Sequence, residues 1–270
     1  RKTMKQLRIA AVILLVLSIV LTGTVRLRQS ALRDDTVPVI QCADEPLRIP
    51  VSEGRDGALD GITAWDGKDG DLTDRLLVQK MERSPEDGSF NVTYVVADSD
   101  NHVVTKTRTL IYTDYVAPRF SLRKELCYAP GETIRIRDRV SAEDVLDGSL
   151  NEQIKVTANN LNTLYEGLYP LTLEVTNSFG DTTTLTLDIE IRSRTLLDPV
   201  ITLTEYLVYL PEGETFRAER YLSGVTGGDR ADVKTELPTG GLQKGVNRVV
   251  YSCTGSSGAV GKAALYVVVE

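Results

Sequence analysis

Four carboxylates, Asp66, Asp69, Asp71 and Asp74, fall within nine residues, with Gly67 and Gly70 between them. That is a composition a calcium ion can use, since calcium takes roughly six to eight oxygens from carboxylates, carbonyls and water. Asp98 and Asp100 would add oxygens if their loop came near. The spacing departs from the helix–loop–helix calcium loop, because Lys68 stands where its second ligand belongs. The same residues also have an architectural reading: Asp-Gly pairs form tight turns, and an aspartate side chain caps the backbone amides that follow it. A second acidic stretch, Glu143, Asp144 and Asp147, repeats the pattern more thinly. Calcium at Asp66, Asp69, Asp71 and Asp74 is the one metal expectation, turn-making is its competitor, and no other cofactor is expected.

The remaining inventory is poor in catalytic material. The chain has one histidine, His102, and three cysteines, Cys42, Cys127 and Cys253. A structural zinc site takes about four Cys or His ligands and a catalytic one commonly two or three His, which this inventory does not readily supply. His102 follows Asp98, Ser99 and Asp100 on one short turn, where a nucleophile, base and orienting acid cannot converge as a triad requires. No enzymatic activity is expected. Trp65, flanked by polar residues, is expected to pack over the edge of a fold, with stacking on a sugar as the alternative. The Asn91-Val92-Thr93 sequon falls on a strand and matters only in a glycosylating pathway.

Two unlike parts carry these residues. Residues 1–33 hold seven basic side chains and no acidic one, so the whole-chain charge of −7 leaves residues 34–270 at −14. A body so acidic repels phosphates, and no nucleic-acid partner is expected. Residues 9–25, IAAVILLVLSIVLTGTV, are free of charge, long enough to span a bilayer as a helix. Arg1, Lys2, Lys5 and Arg8 precede the run and keep the N-terminus cytoplasmic. A cleaved signal peptide shares these features, but the run exceeds its usual apolar core and neither Thr22-Gly23-Thr24 nor Gln29-Ser30-Ala31 makes a good cleavage site. The expectation is an uncleaved, single-pass signal anchor that embeds residues 9–25 in the membrane and places the bulk outside. Met4, before Lys5-Gln6-Leu7-Arg8, reads as a translation start; a start further upstream would leave room for a cytoplasmic output domain.

The body repeats itself every eighty residues or so. Pro38, Pro118 and Pro199 each open a short β-like run, PVIQC, PRFSL and PVITL. Ala64–Asp74 aligns without gaps on Ala142–Glu152 through the pattern A-x-D-x-x-D-G-[DS]-L-[TN]-[DE], of which the third copy keeps little beyond Gly224–Asp229. Gly88, Gly167 and Gly245 precede runs that alternate strictly: Phe90, Val92, Tyr94, Val96; Tyr169, Leu171, Leu173, Val175; Asn247, Val249, Tyr251, Cys253. Period-two alternation marks half-buried strands. Each run ends in a turn, at Asp98–Asn101, Asn177–Gly180 and Gly255–Gly258, where Asn and Gly tolerate left-handed backbone. A closing strand follows in each copy, Val103–Tyr112, Thr183–Ile191 and Ala263–Val269. The cysteines sit one per copy at non-equivalent positions, so buried free thiols are expected, with an intermolecular disulfide as the alternative. Free thiols on an exported protein suit a reducing habitat.

The order P-x-I, G-E-T, A-x-D-x-x-D-G-D-L-T, G-x-[FY]-x-V-x-Y-x-V-x-D-S-x-N resembles the bacterial immunoglobulin-like domain found in pesticidal crystal proteins and surface proteins, related to the HYR and cadherin-like groups. Copy one carries it best, copy two has Ser149 in place of the last Asp of D-G-D, and copy three has lost the acidic segment. The resemblance implies tandem sandwiches on a bacterial exterior, serving as spacers or adhesive modules without catalysis.

The expected architecture is all-β: three tandem Ig-like β-sandwiches after one N-terminal transmembrane helix. Residues 1–33 form the anchor, 34–115 the first domain, 116–196 the second and 197–270 a divergent third, joined by short linkers. The expected function is a non-enzymatic, membrane-anchored stalk or adhesion module binding an unidentified protein or glycan, with copy three as the distal candidate. A carbohydrate or cell-wall binding module is one alternative, for which exposed Tyr206, Tyr209 and Tyr221 are the candidate aromatics. The sensing domain of a signalling or envelope-assembly protein is another.

Overall fold

The computed structural model describes residues 2–32, 36–84, 86–158 and 161–270; Arg1 and the expected anchor–body junction at 33–34 lie outside the described residues. The uncharged run lies within one helix, α1 (Lys2–Leu32). Its window Ala11–Arg28 is long and apolar enough to cross a membrane and no part of it is buried. Two hydroxyls in it are satisfied within the helix: Thr22 Oγ1 donates to the Ser18 carbonyl at 2.7 Å and Thr24 Oγ1 to that of Leu21 at 2.9 Å. Such internal pairing is what hydrocarbon surroundings demand.

The chain divides into two compact units, residues 1–113 and 114–270. In the first, seven strands follow α1: β1 (Val39–Cys42), β2 (Leu47–Ile49), β3 (Ile62–Asp66), β4 (Gly70–Asp71), β5 (Leu77–Arg83), β6 (Phe90–Ala97) and β7 (Val103–Tyr112). They form two sheets, in the orders β1-β3-β4 and β2-β7-β6-β5. All pairings are antiparallel except β2 with β7, which is parallel. The alternating residues Phe90, Val92, Tyr94 and Val96 are all buried, as are Ile40, Ile62 and Ala64 of the other sheet. Tyr94 closes the core at one end by donating its hydroxyl to the Ala58 carbonyl at 2.5 Å.

The second unit holds two further runs of this order, the last without a counterpart of β4. Its first half contains β8 (Arg119–Leu122), β9 (Cys127–Tyr128), β10 (Val140–Asp144), β11 (Gly148–Ser149), β12 (Lys155–Ala158), β13 (Gly167–Thr176) and β14 (Thr182–Ile191). The second half contains β15 (Val200–Leu203), β16 (Leu207–Leu210), β17 (Leu222–Thr226), β18 (Lys234–Glu236), β19 (Gly245–Thr254) and β20 (Val260–Val269). The sheets run β11-β10-β8 with β12-β13-β14-β9, and β15-β17 with β16-β20-β19-β18. Each copy again sends an early strand across to pair in parallel with the closing strand, β9 with β14 and β16 with β20. The turns behave as their residues require: Asn101, Gly180 and Gly258 sit at φ 67°, 89° and 81°.

The two halves of this unit share a core as well as a linker. Leu207, Tyr266 and Val268 of the third copy are buried in the cluster built by Phe120, Leu173 and Ile189 of the second. The Tyr266 hydroxyl donates to the Asp188 carbonyl at 2.5 Å and accepts from the Asp188 N–H at 3.2 Å. Tyr209 caps the open edge of β8 by accepting from the Phe120 N–H at 3.0 Å, and Arg248 pairs with Glu190 at 2.6 Å. The short linker is therefore a minor restraint beside this lateral packing. Burial on both faces explains why Ala263–Val268 of β20 is buried without alternation.

Candidate functional site

The acidic segment is a turn with cross-links. The β3–β4 hairpin begins at Asp66, 1% exposed, whose Oδ1 accepts the N–H groups of Lys68 at 2.9 Å and Asp69 at 3.0 Å. Its Oδ2 accepts from the Thr36 hydroxyl at 3.3 Å. The Asp69 amide above all, with those of its neighbours, holds the Asp66 carboxyl below the ordinary carboxylate range against the opposing effect of burial. Asp69 reaches the β6–β7 turn, accepting the Ser99 N–H at 2.6 Å and hydroxyl at 2.8 Å. Asp71 and Asp74 are exposed, and Asp71 accepts from the Thr73 N–H at 2.9 Å. The four expected ligands thus separate into two that tie the fold together and two that face solvent.

Copy two reproduces the device residue for residue. Asp144 accepts the Leu146 and Asp147 amides, both at 2.9 Å, and Asp147 accepts the Ser178 N–H at 2.6 Å and hydroxyl at 2.8 Å. The rest of the shared pattern has equally local work. Ala64 and Ala142 are buried, Gly70 and Gly148 adopt φ 74° and 71°, and Leu72 and Leu150 fill the core. Thr73 and Asn151 accept from the N–H groups of Ala64 and Ala142 at 3.2 and 2.9 Å. In copy three Asp229 still caps a short turn, accepting from the Ala231 N–H at 2.9 Å.

The other singled-out residues fall as follows. Asp98 receives the Asp100 and His102 amides at 2.9 and 2.7 Å and faces His102 Nδ1 at 2.6 Å. Burial pushes the Asp98 carboxyl up, but the bonds from His102 outweigh it and leave the group below its usual value. The Ser99 hydroxyl turns to Asp69, so Ser99, His102 and Asp98 build a turn and no nucleophilic relay. Cys127 and Cys253 are buried free thiols and Cys42 is half-buried. Burial, reinforced by the Glu125 charge, pushes the Cys127 thiol up.

Two expectations about aromatic residues are corrected. Trp65 does not pack over a sandwich edge: it is 61% exposed on the outward face of β3, because Asp66 beside it takes the inward position to accept its two amides. Tyr206, Tyr209 and Tyr221 form no exposed platform. All three are half-buried, Tyr209 under Arg119 at 4.6 Å and Tyr221 stacked on Phe216 at 5.6 Å, since copy three uses them for packing within the unit.

The fold also assembles a group that sequence separation conceals. Glu125, Cys127 and Glu190 bring their ligand atoms within 4.8 Å of one another. Arginines occupy both carboxylates, Arg194 at 2.5 Å from Glu125, and Arg192 and Arg248 at 3.4 and 2.6 Å from Glu190. This group knits copies two and three together. The groove on the Trp65 face is the other feature missed, bordered by Val39, Gln41, Thr63, Asp71 and Thr73. Its signal was the alternation of Ile62, Ala64 and Asp66 against Thr63 and Trp65.

No family model matches the chain. Over 123 residues it is 29% identical to the pesticidal crystal protein Cry22Aa of Bacillus thuringiensis, a match spanning 44% of this chain and 17% of that protein. Among solved structures it is similar to a CBM51-2 and INT domain structure of Clostridium perfringens ZmpB, at 15% identity and TM-score 0.24, covering 86% of this chain and 42% of that one. It is likewise similar to the protocadherin gammaB4 extracellular domain, at 11% identity and TM-score 0.21, covering 87% of this chain and 50% of that one.

Proposed function

We propose that the chain is a non-catalytic binding module, held in a bacterial membrane by α1 and displaying Ig-like sandwiches on the outer side over residues 34–115, 116–196 and 197–270. The observation that carries this reading is the Ala11–Arg28 window, apolar, helical and unburied among the described residues. An exposed stripe of that length is costly in water and stable in hydrocarbon. The segment with the densest carboxylates supports the non-catalytic part, because Asp66 and Asp69 serve turns and ties. The partner is a protein or glycan met at loops or an outward sheet face.

Protease added to intact spheroplasts tests the topology, together with alkaline carbonate extraction and N-terminal sequencing. The body should be digested from outside, and the full-length chain should resist extraction. Protection of the body until the membrane is permeabilised would overturn the exterior placement. A mature N-terminus beyond Arg28 would replace the anchor with a cleaved signal.

A further inference from the structure

We propose that the outward face of the β1-β3-β4 sheet is a glycan platform on which Trp65 stacks a neutral pyranose ring. This rests on the reading of the chain as an exterior binding module and names the ligand class of one face.

Trp65 lies on the central strand of its sheet, held in register between Val39 and Asp71, with its ring 61% exposed. A bare indole on a strand offers a rigid apolar plane that a ligand's C–H face can cover. The fold does not need an aromatic here. By strand register the same position is Glu143 in copy two, opposite Arg119, and Thr226 in copy three, opposite Val200. Both sister sheets form without one.

Gln41 and Thr63 face each other across β1 and β3, both exposed, and neither side chain has a hydrogen-bond partner among the described residues. Together they offer donors and acceptors beside an apolar plane, the combination a pyranose presents in mirror form with its C–H face and hydroxyl rim. Asp71 adds an acceptor: its bonds from Thr73, side chain first and backbone second, keep the carboxyl below its usual range and therefore ionised at neutral pH. Among the described residues no Lys or Arg borders the groove. A carboxylate without a cation turns away acidic polymers, which leaves neutral sugars as the fitting class. The far edge of the ring lies beside Gly70 of β4, whose Cβ position is 3.8 Å from the indole.

The chain holds one tryptophan, so its fluorescence reports this face alone. The full chain in detergent would be titrated with β-1,4-linked tetrasaccharides of glucose, N-acetylglucosamine and mannose. A saturable blue shift with at least one of them is expected. Calorimetry should show Trp65→Ala weakening that sugar about tenfold or more, Trp65→Phe less so, and Gln41→Ala and Thr63→Ala roughly three- to tenfold each with the indole signal intact. Failure of all three sugars to move the spectrum at millimolar concentration, while acrylamide still quenches the ring, would overturn the proposal. A blue shift that grows with protein concentration alone would overturn it too, by assigning the face to a second copy. Pelleting in detergent with cell-wall material stripped of membrane, where α1 has no bilayer to enter, separates the two levels. Wild-type-like retention of Trp65→Ala sinks the platform and leaves the binding-module reading standing, whereas no retention of the wild type sinks both.

Discussion

Trp65 and Tyr266 occupy the same kind of place, an outward-facing position on a central strand of a sandwich sheet, and meet opposite fates. Tyr266 is 3% exposed, covered by the neighbouring copy, with both its hydroxyl lone pair and proton engaged by Asp188. Trp65 is 61% exposed beside two polar side chains that have no partner among the described residues. Inward positions repeat between copies one and three: Tyr94 and Tyr251 each donate a hydroxyl to a core-closing carbonyl, Ala58 and Ala218, where copy two has the apolar Leu173. Individuality lies on the outward faces. One has been turned into a joint, and the other is left open.

The sharpest way to break that contrast is Tyr266→Ala. Removing a buried aromatic that bridges two cores should cost about 3–5 kcal/mol, read by chemical denaturation followed by circular dichroism. Tyr266→Phe should cost about 1–2 kcal/mol by orphaning Asp188. A cost for the alanine variant no larger than that of an ordinary surface change would mean that the joint is a loose contact. Next come the ties. Asp69→Ala and Asp147→Ala should each lose roughly 1 kcal/mol, and by similar amounts, if the repeated cross-link to Ser99 and Ser178 works alike in both copies. Their neighbour gives the same device a pH signature. The Asp66 carboxyl, held low by the Asp69 amide and its neighbours, stabilises the fold fully above the ordinary carboxylate pKa of about 3.9. That contribution disappears as pH falls through the lower folded value, so the melting temperature should drop below about pH 4 and Asp66→Asn should flatten the drop. Trp65→Ala, by contrast, should change stability by less than about 0.5 kcal/mol, which separates a binding residue from a packing one. Smallest of all is the response to calcium. Melting in chelator and in millimolar calcium should coincide, because Asp66 and Asp69 already serve internal donors; a clear rise with calcium would restore Asp66, Asp69, Asp71 and Asp74 as ligands.

The sheets were legible because alternation states which side is wet. Phe90, Val92, Tyr94 and Val96 alternate, and all four are buried. The left-handed turn positions were legible for a similar reason, since Asn101, Gly180 and Gly258 tolerate a backbone most residues resist. Parallel pairings such as β9 with β14 involve as few as two residues, too short for any periodic signal. Trp65 was misread because polarity and burial are inverted around it: the carboxylate goes in to accept amides and the indole goes out. The joint between copies left one trace, the unbroken apolar stretch Ala263–Val269, which differs from the alternating Thr182–Ile191 of the preceding copy. A strand apolar on both sides needs two coverings, and only one is supplied by its own sandwich.

The parallel pairing of an early strand with the closing strand gives the module a mechanical character. A pull that enters through β2 and leaves through β7 would act at opposite ends of the Leu47–Leu110, Arg48–Ile111 and Ile49–Tyr112 pairs, loading their hydrogen bonds together in shear. An antiparallel pair pulled from one end would instead open bond by bond like a zipper. The same clamp recurs with two pairs between β9 and β14 and four between β16 and β20.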